Sequence, residues 1–146
     1  MMLRTARRYD IHTDSIVFAN NQPYTRDQYA SSGLSGVPDT LFPFCRYLCL
    51  MKVDNAEYAL LTAIVVFSER PNLIDAKKVE KIQDIYINAL RSYEESKRSK
   101  PALSFAKLLA VLPQLRTLGN INSEICFSLK IQNKKIPPFL AEIWDV

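Results

Sequence analysis

The chain has one histidine, His12, and three cysteines, Cys45, Cys49 and Cys126, with no CxxC pair among them. A structural zinc site needs four closely spaced nitrogen or sulfur ligands, and one histidine with no CxxC pair argues against one. No serine, cysteine or carboxylate stands with His12 in triad or metal spacing. His12 falls in a turn expected between a helix and a strand, and the sequence reads as that of a non-enzyme. Long hydrophobic runs are also missing. The longest, Tyr58 to Phe67, is half of the ~20 residues needed to span a bilayer, so the sequence reads as soluble, with no membrane partner. No secretory signal is visible. The opening Met1–Arg8 is arginine-rich and free of acids, as mitochondrial presequences are, but Tyr9-Asp10 and strand-like residues follow at once. Internal repeats and low-complexity segments are absent. Charge of one sign is scarce in excess: 19 basic against 15 acidic residues leave +4, and the basic residues are dispersed. A nucleic-acid footprint would be a basic stripe on one face, and none is evident.

What is present is a chain of 146 residues, 48% of them hydrophobic, enough for one domain-sized unit with a real core. Cys45 and Cys49 lie four apart inside an apolar helical pattern, which favours reduced core thiols in a reducing compartment.

Residues 1–10 read as the end of a helix. Ser15-Ile16-Val17-Phe18-Ala19, β-branched and aromatic, reads as a strand. Asn20-Asn21-Gln22-Pro23 is a turn signal, and Tyr24-Thr25 return as a second short strand, making one hairpin. Residues 26–33 suit one or two helical turns, stopped by Gly33 and Gly36. A helix over 38–52 carries Leu41, Phe42, Cys45, Leu48 and Cys49 at helical spacing, with Pro43 in its first turns. Asp54 with Glu57 three later marks the next helix start. Its body, Tyr58–Phe67, is apolar all round, which predicts burial on every side until Arg70-Pro71-Asn72 ends it. Asp75 caps a long helix lined by Val79, Ile82, Tyr86, Ala89, Leu90 and Tyr93. The charged stretch Glu94–Lys100 reads as a solvated loop. Pro101 opens the last long helix, with Phe105, Leu108, Leu109, Leu112 and Leu115 as its seam. Pro113 must kink or break it before helix resumes through Asn122, Cys126 and Leu129. A polar loop over 132–135 leads to Pro137-Pro138. Beyond that pair, Phe139, Leu140, Ile143 and Trp144 share one face of a short helix with Glu142 at its edge. So short a helix is unstable alone and needs a surface to dock on.

Five separated stretches carry a resemblance. Tyr58–Pro71 resembles a helix of nuclear hormone receptor ligand-binding domains, and Phe139-Leu140-Ala141-Glu142-Ile143-Trp144 looks like the activation-function helix of that family. In detailed wording Met1–Arg4 with Ala6–Asp10, Ser15–Asn21 and Leu115–Asn120 are similar to its ecdysone-receptor branch. The resemblance covers essentially the whole chain, in order and in spacing. It implies an all-α fold, a layered helical sandwich with one small β-hairpin. It also implies a single domain over 1–146, with the activation helix at 137–146. In this family further helices would precede Met1, so the chain is expected to be the C-terminal two-thirds of a ligand-binding domain. Those helices carry part of the hormone pocket and a lysine that works with the terminal-helix glutamate. Pro43 and Pro113 stand where the branch usually has other residues.

The resemblance also implies roles. Arg4 would hydrogen-bond a steroid hydroxyl or ketone; a guanidinium fork in an apolar cavity needs such acceptors, whereas at the surface it would bind a carbonyl or carboxylate. The backbone of Ala19 and the hydroxyl of Tyr29 would bond the steroid, and Asn122 the sterol side chain. The apolar lining would be Met1, Met2, Thr5, Phe18, Leu34, Leu41, Cys126, Leu129, Ile136 and Trp144, each also suited to ordinary core packing; Thr5 replaces an apolar residue usual there. The ligand implied is an ecdysteroid such as 20-hydroxyecdysone or ponasterone A, with no cofactor and no metal. Glu142, with Phe139, Leu140 and Ile143, would hold an LxxLL-type coactivator helix by capping its N-terminal N–H groups. Leu108, Leu112, Leu115 and Arg116 would meet a retinoid-X-receptor-like partner, ultraspiracle in insects, unless those leucines pack only internally. DNA would be reached only through a zinc module absent from this sequence, and the location implied is the nucleus. Two functions follow: a ligand-dependent transcription regulator, or a truncated dimerisation module unable to bind hormone.

Overall fold

The computed structural model describes residues 1–18, 21–31 and 36–132, the side chain of Leu129 excepted. In chain order its elements are α1 (Met2–Ala6), β1 (Tyr9–Asp10), β2 (Ser15–Val17), β3 (Pro23–Thr25), α2 (Arg26–Ser31), α3 (Val37–Leu50), α4 (Asn55–Val66), α5 (Ala76–Lys97), α6 (Pro101–Leu109) and α7 (Val111–Ile131). The fold is predominantly helical with one small antiparallel sheet. It divides into two compact units, Met1–Met51 with the chain from Gln114 onward, and Lys52–Pro113.

In the first unit the sheet has three strands in the order β1-β2-β3, one more than the expected hairpin. The extra strand corrects the helical reading of residues 1–10. Helix α1 stops at Ala6, and Tyr9 pairs with Ile16 and Asp10 with Ser15. Two side chains explain the switch. Tyr9 is buried and meets the Phe42 ring edge-on at 6.2 Å. Asp10 accepts from the His12 backbone N–H at 2.9 Å and the Thr13 hydroxyl at 2.8 Å, tying the turn back on itself. His12 therefore sits between two strands. Asn21 turns the chain toward β3, with a φ of 57° and a bond from its N–H to the Phe18 carbonyl.

Helix α2 starts with a reciprocal pair: the Thr25 N–H donates to the Gln28 side chain at 3.0 Å, and the Gln28 N–H to the Thr25 hydroxyl at 3.4 Å. Gly36 is the N-cap of α3, with a φ of 92° that suits glycine, rather than a stop for α2; Gly33 lies outside the described residues. Helix α3 buries Val37, Pro38, Leu41, Phe42, Phe44, Cys45 and Leu48, and runs unbroken past Pro43. Pro43 has no N–H to bond the Asp39 carbonyl, so the helix continues with that bond missing.

In the second unit the start of α4 is as expected. The Asp54 side chain accepts from the Glu57 N–H at 2.8 Å, and the Asp54 N–H donates to the Glu57 carboxylate at 2.7 Å. The body of α4 is not buried on all sides: Tyr58, Leu61 and Ile64 are inside, whereas Val66 is 65% exposed. Its end is held by the Gln83 side chain, which donates to the Ile64 carbonyl at 2.9 Å, and by Phe67 stacking on Tyr86 at 5.6 Å. Asp75 occupies the N-cap of α5, but its side chain makes no capping bond and instead pairs with Lys78 at 3.0 Å. Helix α5 runs on to Lys97 through most of the expected loop, and Glu94, placed in solvent by the charge pattern, is fully buried. The proline rule holds at Pro113. The helix breaks at Ala110 between α6 and α7, and Pro113 then lies in the first turn of α7, where a missing N–H costs nothing.

Candidate ligand site

The first unit carries a continuous run of aromatic rings. Tyr24 meets Phe18 edge-on at 5.4 Å, Phe18 stacks on Tyr29 at 6.0 Å, Tyr29 meets Phe42 edge-on at 6.1 Å, and Phe42 meets Tyr9 at 6.2 Å. Such offset and edge contacts are the favoured aromatic geometries. Strand β2 delivers Phe18 to the turn before β3, α2 presents Tyr29 half-buried, and α3 supplies Phe42 from its buried face. Burial, and to a lesser extent the neighbouring Cys45, raise the Tyr29 hydroxyl above its ordinary pKa. It stays a neutral phenol, able to donate one hydrogen bond to an acceptor. Cys45 lies beside it, fully buried, its thiol pushed up to about 12 by burial and therefore protonated.

Of the other expected pocket residues, Met2 and Leu41 are buried, and Thr5 is half-buried with its hydroxyl donating to the Met1 carbonyl at 3.4 Å. Met1 is 68% exposed, and Arg4 is exposed in the last turn of α1. On α7 Asn122 and Cys126 are one turn apart, and the Asn122 amide donates to the Cys126 sulfur at 3.9 Å. Thus Phe18 and Tyr29 are brought together, as are Asn122 and Cys126. Ala19, Leu34, Leu129, Ile136 and Trp144 lie outside the described residues or side chains. So does the whole coactivator set, Phe139, Leu140, Glu142 and Ile143. Among the described residues no group of histidine, cysteine and acid side chains is arranged to hold a metal, and no helix is long and apolar enough to cross a membrane.

The expected partner seam divides. Leu108 is fully buried, Leu112 and Leu115 are half-buried, and Arg116 is exposed. Leu108 therefore supports α6 from inside. A shallow groove of about 430 Å³ between α3 and α7, lined by Asp39, Thr40, Pro43, Phe44, Tyr47, Gln114 and Thr117, contains none of the residues expected from the sequence. Sequence reasoning also missed the ion network Asp54, Glu57, Tyr93, Glu94, Lys97 and Arg98. The spacing of Asp54 and Glu57 was its one visible signal.

Residues 1–132 match the model of the ligand-binding domain of nuclear hormone receptor. Over its whole length the chain is 57% identical to the ecdysone receptor of Lucilia cuprina, 56% to that of Drosophila melanogaster and 53% to that of Heliothis virescens. It spans 20%, 17% and 26% of those proteins respectively. These relatives are hormone receptors and not enzymes. A match over so much of the chain, on a helical fold with this small sheet, establishes that the chain belongs to the family of nuclear hormone receptor ligand-binding domains.

Proposed function

We propose that this chain is part of a ligand-dependent transcription regulator of the nucleus that binds an ecdysteroid, pairs with an ultraspiracle or retinoid-X-receptor-like receptor and recruits LxxLL-type coactivators. The reading takes residues 1–146 as part of one ligand-binding domain, with 137–146 as its activation helix. The observation that carries it is identity of 52–57% to ecdysone receptors along the entire chain. The aromatic run with the Tyr29 hydroxyl supports it, because polyhydroxylated steroids suit an apolar wall with a few placed polar groups. Arg4, Ala19, Tyr29 and Asn122 are the polar contacts in this reading. Met1, Met2, Thr5, Phe18, Leu34, Leu41, Cys126, Leu129, Ile136 and Trp144 are the apolar ones. Ligand acts by population shift: it favours the docked terminal helix, whose Glu142, Phe139, Leu140 and Ile143 then hold the coactivator peptide. Leu108, Leu112, Leu115 and Arg116 are the partner seam in this reading. Exposed apolar side chains such as Val66 favour a second reading, an interaction module that pairs without taking hormone.

Titration with labelled ponasterone A, with and without an ultraspiracle-type partner, separates the two. Saturable binding with the partner present is expected. Partner capture without any steroid binding would leave the second reading.

A further inference from the structure

Glu94, in the last turn of α5, has no exposed surface, and neither of its side-chain oxygens has a hydrogen-bond partner among the described residues. Glu57 on α4 is equally buried but fully served. Its carboxylate takes the Asp54 N–H at 2.7 Å, the Arg98 Nε–H at 2.8 Å, and Arg98 Nη2 at 2.6 and 2.7 Å. Arg98 Nη2 also reaches the Lys52 carbonyl at 3.1 Å. The guanidinium is thus committed elsewhere, and its Nε stands 3.7 Å from Glu94 Oε2, too far for a hydrogen bond.

The other charged groups do not repair this. Lys97 on α5 pairs with Asp54, which also accepts from the Tyr93 hydroxyl at 2.6 Å. Helix α6 and its N-cap contribute only Lys107 and Lys100, both exposed. The cluster therefore sets three acids, Asp54, Glu57 and Glu94, against two bases, Lys97 and Arg98, a net charge of −1 if all ionise. A single proton brings it to zero. It also gives Glu94 an O–H to donate and leaves its other oxygen facing Arg98.

We infer that Glu94 and Glu57 share one proton, and that this acid–carboxylate pair with Arg98 is a pH-responsive latch between α4 and the C-terminal end of α5, closed while the proton is held and loosened when it leaves. Burial raises the Glu94 carboxyl most, the hydrogen bond that its protonated form gives Glu57 and the Glu57 charge raise it further, Arg98 opposes them, and the result is about 7 against an ordinary 4.5. Because the folded pKa is the higher one, the latch contributes its full stability below 4.5 and loses it as pH rises through 7. It operates whether or not the chain takes hormone.

The test uses the full chain and its Glu94→Gln variant, in which an amide N–H donates to Glu57 and no proton can leave. Thermal midpoints are read from about pH 5 to about pH 8. Wild type is expected to lose several degrees across this range relative to the variant, and the variant to be the more stable at the alkaline end. In wild type the Glu94 carboxyl carbon resonance is expected to titrate near 7. Parallel pH slopes for the two proteins, or titration of Glu94 near 4.5, would overturn the latch. If the variant does not fold, the wild-type titration decides alone.

Discussion

The guanidinium of Arg98 grips both carboxylate oxygens of Glu57, 41 residues away, through bonds of 2.6, 2.7 and 2.8 Å. Glu57 has no exposed surface, and the Arg98 side chain is 21% exposed, so the pair sits where water screens it little. Removing one partner from a buried pair leaves the other charge uncompensated. Arg98→Ala strands Glu57 and removes the guanidinium that stands 3.7 Å from Glu94. The expected loss in urea unfolding is on the order of 3–5 kcal/mol. Arg98→Lys keeps the charge but not the fork, so it is expected to recover only part of that loss.

Gly36 caps α3 with a φ of 92°, where an L side chain is strained, although a Cβ there would meet nothing within 4 Å. The cost of substitution is therefore backbone strain alone. Gly36→Ala is expected to lower stability by roughly 1–2 kcal/mol. A thermal midpoint equal to wild type would mean that the N-cap relaxes into a conformation open to alanine.

These two sites differ in how far the sequence exposes them. The Asp54–Glu57 capping box was legible because both partners lie within one turn, and the break near Pro113 because proline acts on its own backbone. The strands around Ser15 and Tyr24 were likewise legible from residue type and turn signals. Glu94 was not. A charge run describes solvation only if nothing distant packs on it, and here α4 brings Glu57 from 37 positions earlier in the chain. Tyr9 misled for the same reason, since the ring that holds it, Phe42, is remote in sequence. The all-apolar body of α4 overstated burial, because periodicity counts hydrophobic side chains and not the neighbours available to cover them. In the ligand site, the types of Phe18 and Tyr29 were readable from the resemblance, but their stacking with Phe42 required the fold.

The cysteines separate by burial. Burial pushes the Cys45 thiol up to about 12 and also raises Cys126, while Cys49 is half-buried. Alkylation requires both thiolate and access. Under native conditions near neutral pH, iodoacetamide is expected to label Cys49 first. Cys45 and Cys126 should react at rates that track unfolding and become equal to Cys49 in denaturant. Labelling of Cys45 as fast as Cys49, read by peptide mass, would place an opening of α3 well below global unfolding.

Tyr29 offers the cleanest separation of hormone contact from fold. Its ring lies between Phe18 at 6.0 Å and Phe42 at 6.1 Å, and phenylalanine preserves both contacts. Tyr29→Phe deletes only the hydroxyl, the group that donates to the steroid in the proposed reading. One neutral hydrogen bond contributes about 0.5–1.5 kcal/mol, so ponasterone A affinity, read beside the thermal midpoint, is expected to fall roughly 2- to 10-fold. Tyr29→Ala removes the stacking too and is expected to lower both, since aromatic pairs add about 0.5–1.5 kcal/mol beyond their area. Unchanged affinity in Tyr29→Phe, with binding lost in Tyr29→Ala, would assign the ring to packing and move the polar contact elsewhere, with Asn122 the next residue to substitute.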